Sequence, residues 1–129
     1  QGFGMLIPKI EGFKILGTIF SSALFSNRAP AGHITLTSYI GGTRYPALGL
    51  LPPERLIETT PADLRALLGV RGQPVFTHMK TWPKAIPQYN VGYGKFKQLL
   101  NDLEAKASGL FFAGSYRDGV SLAIPLCRA

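Results

Sequence analysis

The stretch best equipped for chemistry runs from Thr81 to Gly92, TWPKAIPQYNVG, which holds the single Trp of the chain and two of its prolines. Pro83 and Pro87 each hold φ at about −65° and lack a backbone donor, so helix is excluded and a central strand disfavoured. Trp82 and Ile86 precede the prolines and are pushed toward extended geometry. The resulting arm presents Trp82, Gln88, Tyr89 and Asn90 in set directions, as a wall against a flat ligand would require. The competing reading is a proline-rich surface crossover with its indole packed on the core. Other chemistries find less support. Ser21 and Ser22 have no Asp–His pair at a suggestive spacing, which argues against a nucleophilic serine. His33 and His78 are the only histidines and no carboxylates cluster with them, so no metal site is expected. The lone Cys127 allows neither an internal disulfide nor a cysteine-based metal site. Gly2 and Gly4 begin a G-x-G, but Ile7 occupies the third glycine position and the dinucleotide fingerprint fails.

Several elements would position that arm. Gly2 to Pro8 (GFGMLIP) reads as a short strand, Lys9 to Gly12 as a turn, and Phe13 to Ser22 as a second strand, making a β-hairpin. In the second strand Ile15, Gly17 and Ile19 share one face. Ser21 to Gly32 is turn-rich and irregular. His33 to Gly41 alternates, with Ile34, Leu36 and Ile40 opposite Thr35, Thr37 and Tyr39. Pro52-Pro53 opens a helical region with Leu56, Ile57, Leu64, Leu67 and Leu68 on one face. Thr60, Pro61 and Asp63 read there as the N-cap, N1 and N3 of a fresh start, so a kink or two short helices are expected, stopping at Gly69. Gln73 to Trp82 alternates as a strand leading into the arm. Lys95 to Ala107 forms a helix with Phe96, Leu99, Leu100, Leu103 and Ala107 on its apolar stripe, ended by Gly109. Leu110 to Gly114 (LFFAG) reads as a short buried strand. Together these give an α+β fold: a mixed, mostly antiparallel sheet of about five strands, with two helical segments on one face.

Composition narrows the class without naming it. A chain of 129 residues, 46% hydrophobic and 16% charged, is long and apolar enough to bury a sizeable core. The net charge of +7 suits an anionic partner. Its lysines and arginines are scattered and not interleaved with aromatics, which argues against nucleic acid. No segment reaches the roughly 18 uninterrupted apolar residues of a membrane-spanning helix, and Gln1 begins without a signal-peptide pattern.

The text itself points further. WPKAIPQYNVG, from Trp82 to Gly92, resembles the WPxAxPQYxxGH stretch of the protoporphyrinogen oxidases, members of the amine oxidase-like flavoprotein superfamily. GLFFAGSYRDGVSL, from Gly109 to Leu122, is similar to the closing flavin-contact motif of that family. GFGMLIP and ILGTIFSSALFSNRAP (Ile15 to Pro30) match similar text in the same order. The likeness covers nearly the whole chain. It implies a C-terminal fragment of a two-domain flavoprotein, because the family's glycine-rich fingerprint is not supplied here. Residues 1–108 would form the substrate-binding portion and residues 109–129 the closing strand and motif of the FAD-binding domain.

The resemblance implies an enzyme that uses FAD and oxygen to convert protoporphyrinogen IX to protoporphyrin IX in porphyrin biosynthesis. The fragment alone would be inactive, since FAD is held mainly by the missing N-terminal portion, its implied partner. Such chemistry asks little of side chains beyond positioning the donor carbon and excluding water, which suits a chain without an acid/base pair. No catalytic side chain is assigned. Trp82 and the run Val120, Ser121, Leu122 fall where the family contacts FAD. Gly119 precedes that run, where close backbone approach to a cofactor tolerates no side chain. Ile19, Tyr39 and Met5 match positions lining the porphyrinogen cavity, Tyr39 with a hydroxyl where relatives carry an apolar group. Pro125 stands where relatives run a helix toward the cofactor. A cytoplasmic or peripheral-membrane bacterial protein is implied, with a homodimer as a further option. Two rivals stand beside this reading: an amine oxidase or carotenoid desaturase-like flavoprotein, and a non-catalytic module that binds a porphyrin or another anionic planar ligand.

Overall fold

Two short apolar runs separated by the turn residues Lys9 to Gly12 produce the expected hairpin. In the computed structural model, which describes residues 2–119, β1 (Gly4–Leu6) pairs antiparallel with β2 (Ile15–Ile19), matching Met5 to Thr18 and Leu6 to Gly17. Between them Lys9–Glu11 makes one 3₁₀ turn closed by Gly12 at φ 75°, a left-handed value that glycine adopts without penalty. β3 (Thr37–Ile40) completes the sheet on the other side of β2, with Gly17 opposite Tyr39 and Ile19 opposite Thr37. An irregularity between Ile15 and Gly17 bends this second pairing.

The α+β class holds, but the five-strand sheet does not. Among the described residues the sheet has three strands in the order β1-β2-β3, antiparallel throughout. Each missing strand has a local cause. Along residues 73–82 both sides of the alternation stay in solvent, with Val75 and Phe76 both exposed, so no buried face rewards pairing. In Leu110–Gly114 the Phe112 N–H donates to Glu104 Oε1 at 2.7 Å instead of to a neighbouring strand. The expected strand from His33 is shortened to Thr37–Ile40 because Thr35 is held by side-chain bonds. Its N–H donates to Ser22 Oγ (3.0 Å) and its hydroxyl to the Arg28 carbonyl (2.6 Å). The segment read as irregular after β2 begins with one helical turn, α1 (Ser21–Leu24).

The chain divides into two units, Gln1–Thr81 and Trp82–Ala129. The first contains the sheet and α2 (Pro53–Leu68), with Pro53 at the first helical position and Gly69 capping the end at φ 65°. The two short helices expected around Pro61 are one helix. Thr60 does not serve as an N-cap: its hydroxyl donates back to the Leu56 carbonyl at 3.0 Å, and Thr59 does the same to Arg55 at 2.8 Å. Asp63, read as N3 of a new helix, has a different use. Its Oδ2 accepts the N–H groups of both Lys14 (2.7 Å) and Ile15 (2.9 Å), fastening α2 to the start of β2.

Asp63→Ala is therefore expected to destabilise the protein by about 2–4 kcal/mol, with Asp63→Asn recovering part of the loss, as read by urea unfolding. A change below half of that range would remove Asp63 from the account of what holds α2.

The core is smaller than composition suggests. Among the described residues the buried apolar side chains are Ile7, Ile15 and Leu56, joined by the buried Thr18. In the second unit α3 (Gly94–Lys106) follows the arm, and α4 (Ser115–Asp118) is a single turn. The arm from Thr81 to Gly92 is neither helix nor strand, as its prolines require.

Candidate functional site

On the sheet, cross-strand partners share a face. Ile19 and Gly17 alternate onto one face of β2, and Tyr39 joins them because it pairs with Gly17. Leu6 lies on the same face through its own pairing with Gly17. This face presents large apolar groups to solvent, with Leu6 88% and Tyr39 49% exposed. Met5 pairs with Thr18 and lies on the opposite face, among hydroxyls: Ser38 Oγ donates to Thr18 Oγ1 at 3.1 Å. Of the three residues read as lining a substrate cavity, the sheet thus brings Ile19 and Tyr39 together and turns Met5 away.

Gly17 makes this arrangement possible. A Cβ built there would lie 2.5 Å from the Met5 carbonyl oxygen and 3.1 Å from Leu6 Cδ2, so only glycine lets β1 close on β2 at this point.

In the second unit Trp82 stands 67% exposed on the extended arm, so its indole is not packed on a core. Further along, Tyr89 and Tyr93 pack edge to face with ring centres 5.2 Å apart. Their hydroxyls donate to the carbonyls of Ser115 and Tyr116, tying the end of the arm to α4. A cavity of about 270 Å³ lies beside them, lined by Tyr89, Tyr93, Gly94, Lys97, Arg117, Asp118 and Gly119. Gly119 sits at φ 134°, ψ 171°, and Gly114 at φ 152°, ψ 166°, so glycines in conformations closed to other residues bracket α4. Val120, Ser121 and Leu122, read as flavin contacts, lie outside the described residues.

A set of residues that sequence reasoning did not single out anchors this turn. Arg117, its side chain 2% exposed, donates to both Glu104 carboxylate oxygens at 2.7 and 2.8 Å and to Asn101 Oδ1 at 2.6 Å. Its Nε also lies 3.5 Å from Asp118 Oδ2, and Lys97 Nζ approaches Asp118 Oδ1 at 3.1 Å. The signal was in the helix: Lys97, Asn101 and Glu104 recur at i, i+4 and i+7, one stripe of α3. That polar stripe faces its own unit. Phe96, Leu99 and Leu103 of the apolar stripe are exposed instead. Among the described residues, no three of His, Cys, Asp and Glu assemble as a metal site, and no helix is long and apolar enough to cross a membrane.

Comparison with known proteins agrees with the text of the sequence. Protoporphyrinogen oxidase 2, chloroplastic/mitochondrial, of Arabidopsis thaliana is 39% identical over 125 residues, covering 95% of this chain and 25% of that protein. The chloroplastic protoporphyrinogen oxidase of Nicotiana tabacum is 40% identical over 128 residues, covering 95% and 23%. A coproporphyrinogen III oxidase of Bacillus subtilis is 27% identical over 128 residues, covering 98% and 27%. The chain thus spans about a quarter of the length of these relatives. The family model described as flavin containing amine oxidoreductase matches residues 3–123, taking in β1 at one end and the turn with Arg117 and Gly119 at the other. With nearly every described residue inside that match, the chain belongs to the flavin containing amine oxidoreductase family.

Proposed function

We propose that this chain is part of a porphyrinogen-oxidising flavoprotein that converts protoporphyrinogen IX to protoporphyrin IX with FAD and oxygen. The observation that carries this reading is the 39–40% identity to plant protoporphyrinogen oxidases across 95% of the chain, against 27% to the Bacillus coproporphyrinogen III oxidase. FAD would supply the electron acceptor. Residues 1–108 form the substrate-side portion and residues 109–129 the closing motif of the FAD-binding portion. An N-terminal portion of the same protein holds most of the cofactor, and the segment alone is inactive.

The described residues fit such a group. Gly119 brings a backbone edge without a side chain to the cavity beside Lys97, and Trp82 offers an exposed aromatic face. On the substrate side, Ile19, Tyr39 and the neighbouring Leu6 give an apolar floor suited to a macrocycle. The exposed apolar surface of the sheet also suits a segment that completes a larger body. Homodimer formation and a cytoplasmic or peripheral-membrane setting belong to the same proposal. A bacterial source does not, because relatives come from plants as well as bacteria.

Trp82→Ala in the full-length protein is expected to weaken FAD binding about tenfold or more, the size of a lost aromatic stack on a flat heterocycle. Flavin content per polypeptide reads the effect, and unchanged content would remove Trp82 from the cofactor site. Identification of the oxidised product separates protoporphyrinogen, coproporphyrinogen and amine substrates.

A further inference from the structure

The Arg117 array is more elaborate than a helical turn of four residues needs for its own stability. Arg117 is nearly sealed from solvent, yet each of its guanidinium nitrogens has a named partner: Nη1 meets Glu104, Nη2 meets Glu104 and Asn101, and Nε meets Asp118. Glu104 in turn accepts the Phe112 N–H, so the same carboxylate fixes the chain before α4 as well as within it. Asp118 is held from a second side by Lys97, one turn earlier on α3 than Asn101. The next residue is Gly119, whose mirror-extended backbone no side chain would permit. The path into Gly119 is thereby fixed by directional, charge-assisted bonds to a rigid helix.

Resting on the flavoprotein reading, we infer that Arg117 is a positioning residue for the cofactor. Its guanidinium is turned to Glu104, Asn101 and Asp118, and it acts through the backbone that follows it. It transmits the placement of α3 to the backbone of Gly119, the glycine read as the point of close approach to that group. Asn101, Glu104 and Asp118 set the orientation of the guanidinium, and Lys97 holds Asp118 in place. An outer residue of this kind matters because small displacements at a binding edge cost affinity.

The test uses the full-length protein, stripped of flavin and titrated with FAD. Arg117→Lys keeps the cation and loses the planar fork. Asn101→Ala removes one acceptor at an exposed position and leaves the ion pair intact. Arg117→Lys is expected to bind FAD about tenfold more weakly, and Asn101→Ala about threefold. At saturating FAD the visible absorption bands of the flavin in Arg117→Lys are expected to be displaced from wild type, a signature that loss of stability alone does not produce. Apoprotein melting should fall by only a few degrees, ~4 °C or less. Wild-type affinity and an unchanged spectrum in Arg117→Lys would overturn the inference. So would a loss of affinity accounted for by a parallel loss of apoprotein melting temperature. If Arg117→Lys fails to fold, Asn101→Ala decides by the same two readings. Weakened binding in Trp82→Ala with wild-type behaviour in both array variants would overturn this inference and leave the proposed function standing. A wild-type protein that binds no FAD would overturn both.

Discussion

Gly17→Ala is expected to separate β1 from β2 and to destabilise the protein by about 3 kcal/mol or more, measured by urea unfolding. The added methyl would stand 2.5 Å from the Met5 carbonyl oxygen and 3.2 Å from Leu6 Cα, both backbone atoms that cannot swing aside. Only a shift of the whole strand relieves the clash, and that shift breaks the pairing that keeps Leu6 and Tyr39 on one face. Gly12→Ala is the informative control. It has nothing within 4 Å but a left-handed φ, so it should cost only about 1 kcal/mol from backbone strain. Equal effects at the two positions would mean that chain flexibility, and not strand contact, is the reason for glycine at 17.

Arg117→Ala is the second large effect, about 3–5 kcal/mol. Truncation leaves the carboxylates of Glu104 and Asp118, only 23% and 14% exposed, without their shared cation. Arg117→Met combined with Glu104→Gln should cost less than Arg117→Ala, because the cavity is filled and one buried charge is removed together with its partner. Denaturant unfolding of the set gives the comparison. A single-variant loss below about 1 kcal/mol would show that solvent already compensates these carboxylates.

How much of this could be read from residues alone depends on how local each feature is. The β1–β2 hairpin was legible because its alternation, its turn and its Gly12 lie within sixteen residues of one another, from Gly4 to Ile19. The stop of α2 was legible for the same reason, since Gly69 needs only its own left-handed conformation, whereas α3 ends at Lys106 with an extended Ala107 before Gly109 is reached. Residues 73–82 and Leu110–Gly114 have strand composition, but a strand is completed by a partner, and alternation does not report whether one is available. Asp63 was legible as a helix-start residue and misled on that account: its two backbone donors lie 48 and 49 positions earlier in the chain. Pro61 argued for a break that tertiary attachment of α2 overrides. Among the residues proposed for the cofactor, Gly119 lines a cavity and Trp82 is an exposed side chain on the arm. The array around Arg117 could not be named from text, because hydrophobic patterning assigns the inner side of a helix to its leucines.

α3 departs from that assignment at Phe96, Leu99 and Leu103, and the departure changes what determines its orientation. Apolar packing tolerates small rotations of a helix about its axis, since one greasy contact substitutes for another. Here the azimuth is keyed. Each residue step turns a helix by about 100°, so a slip of one position would carry Lys97 away from Asp118 and Asn101 and Glu104 away from Arg117 together. The helix is indexed like a shaft in a slot, and Phe96, Leu99 and Leu103 are held outward at one fixed angle. Whatever surface comes to cover those three side chains meets a ridge whose bearing has already been decided by ions on the far side.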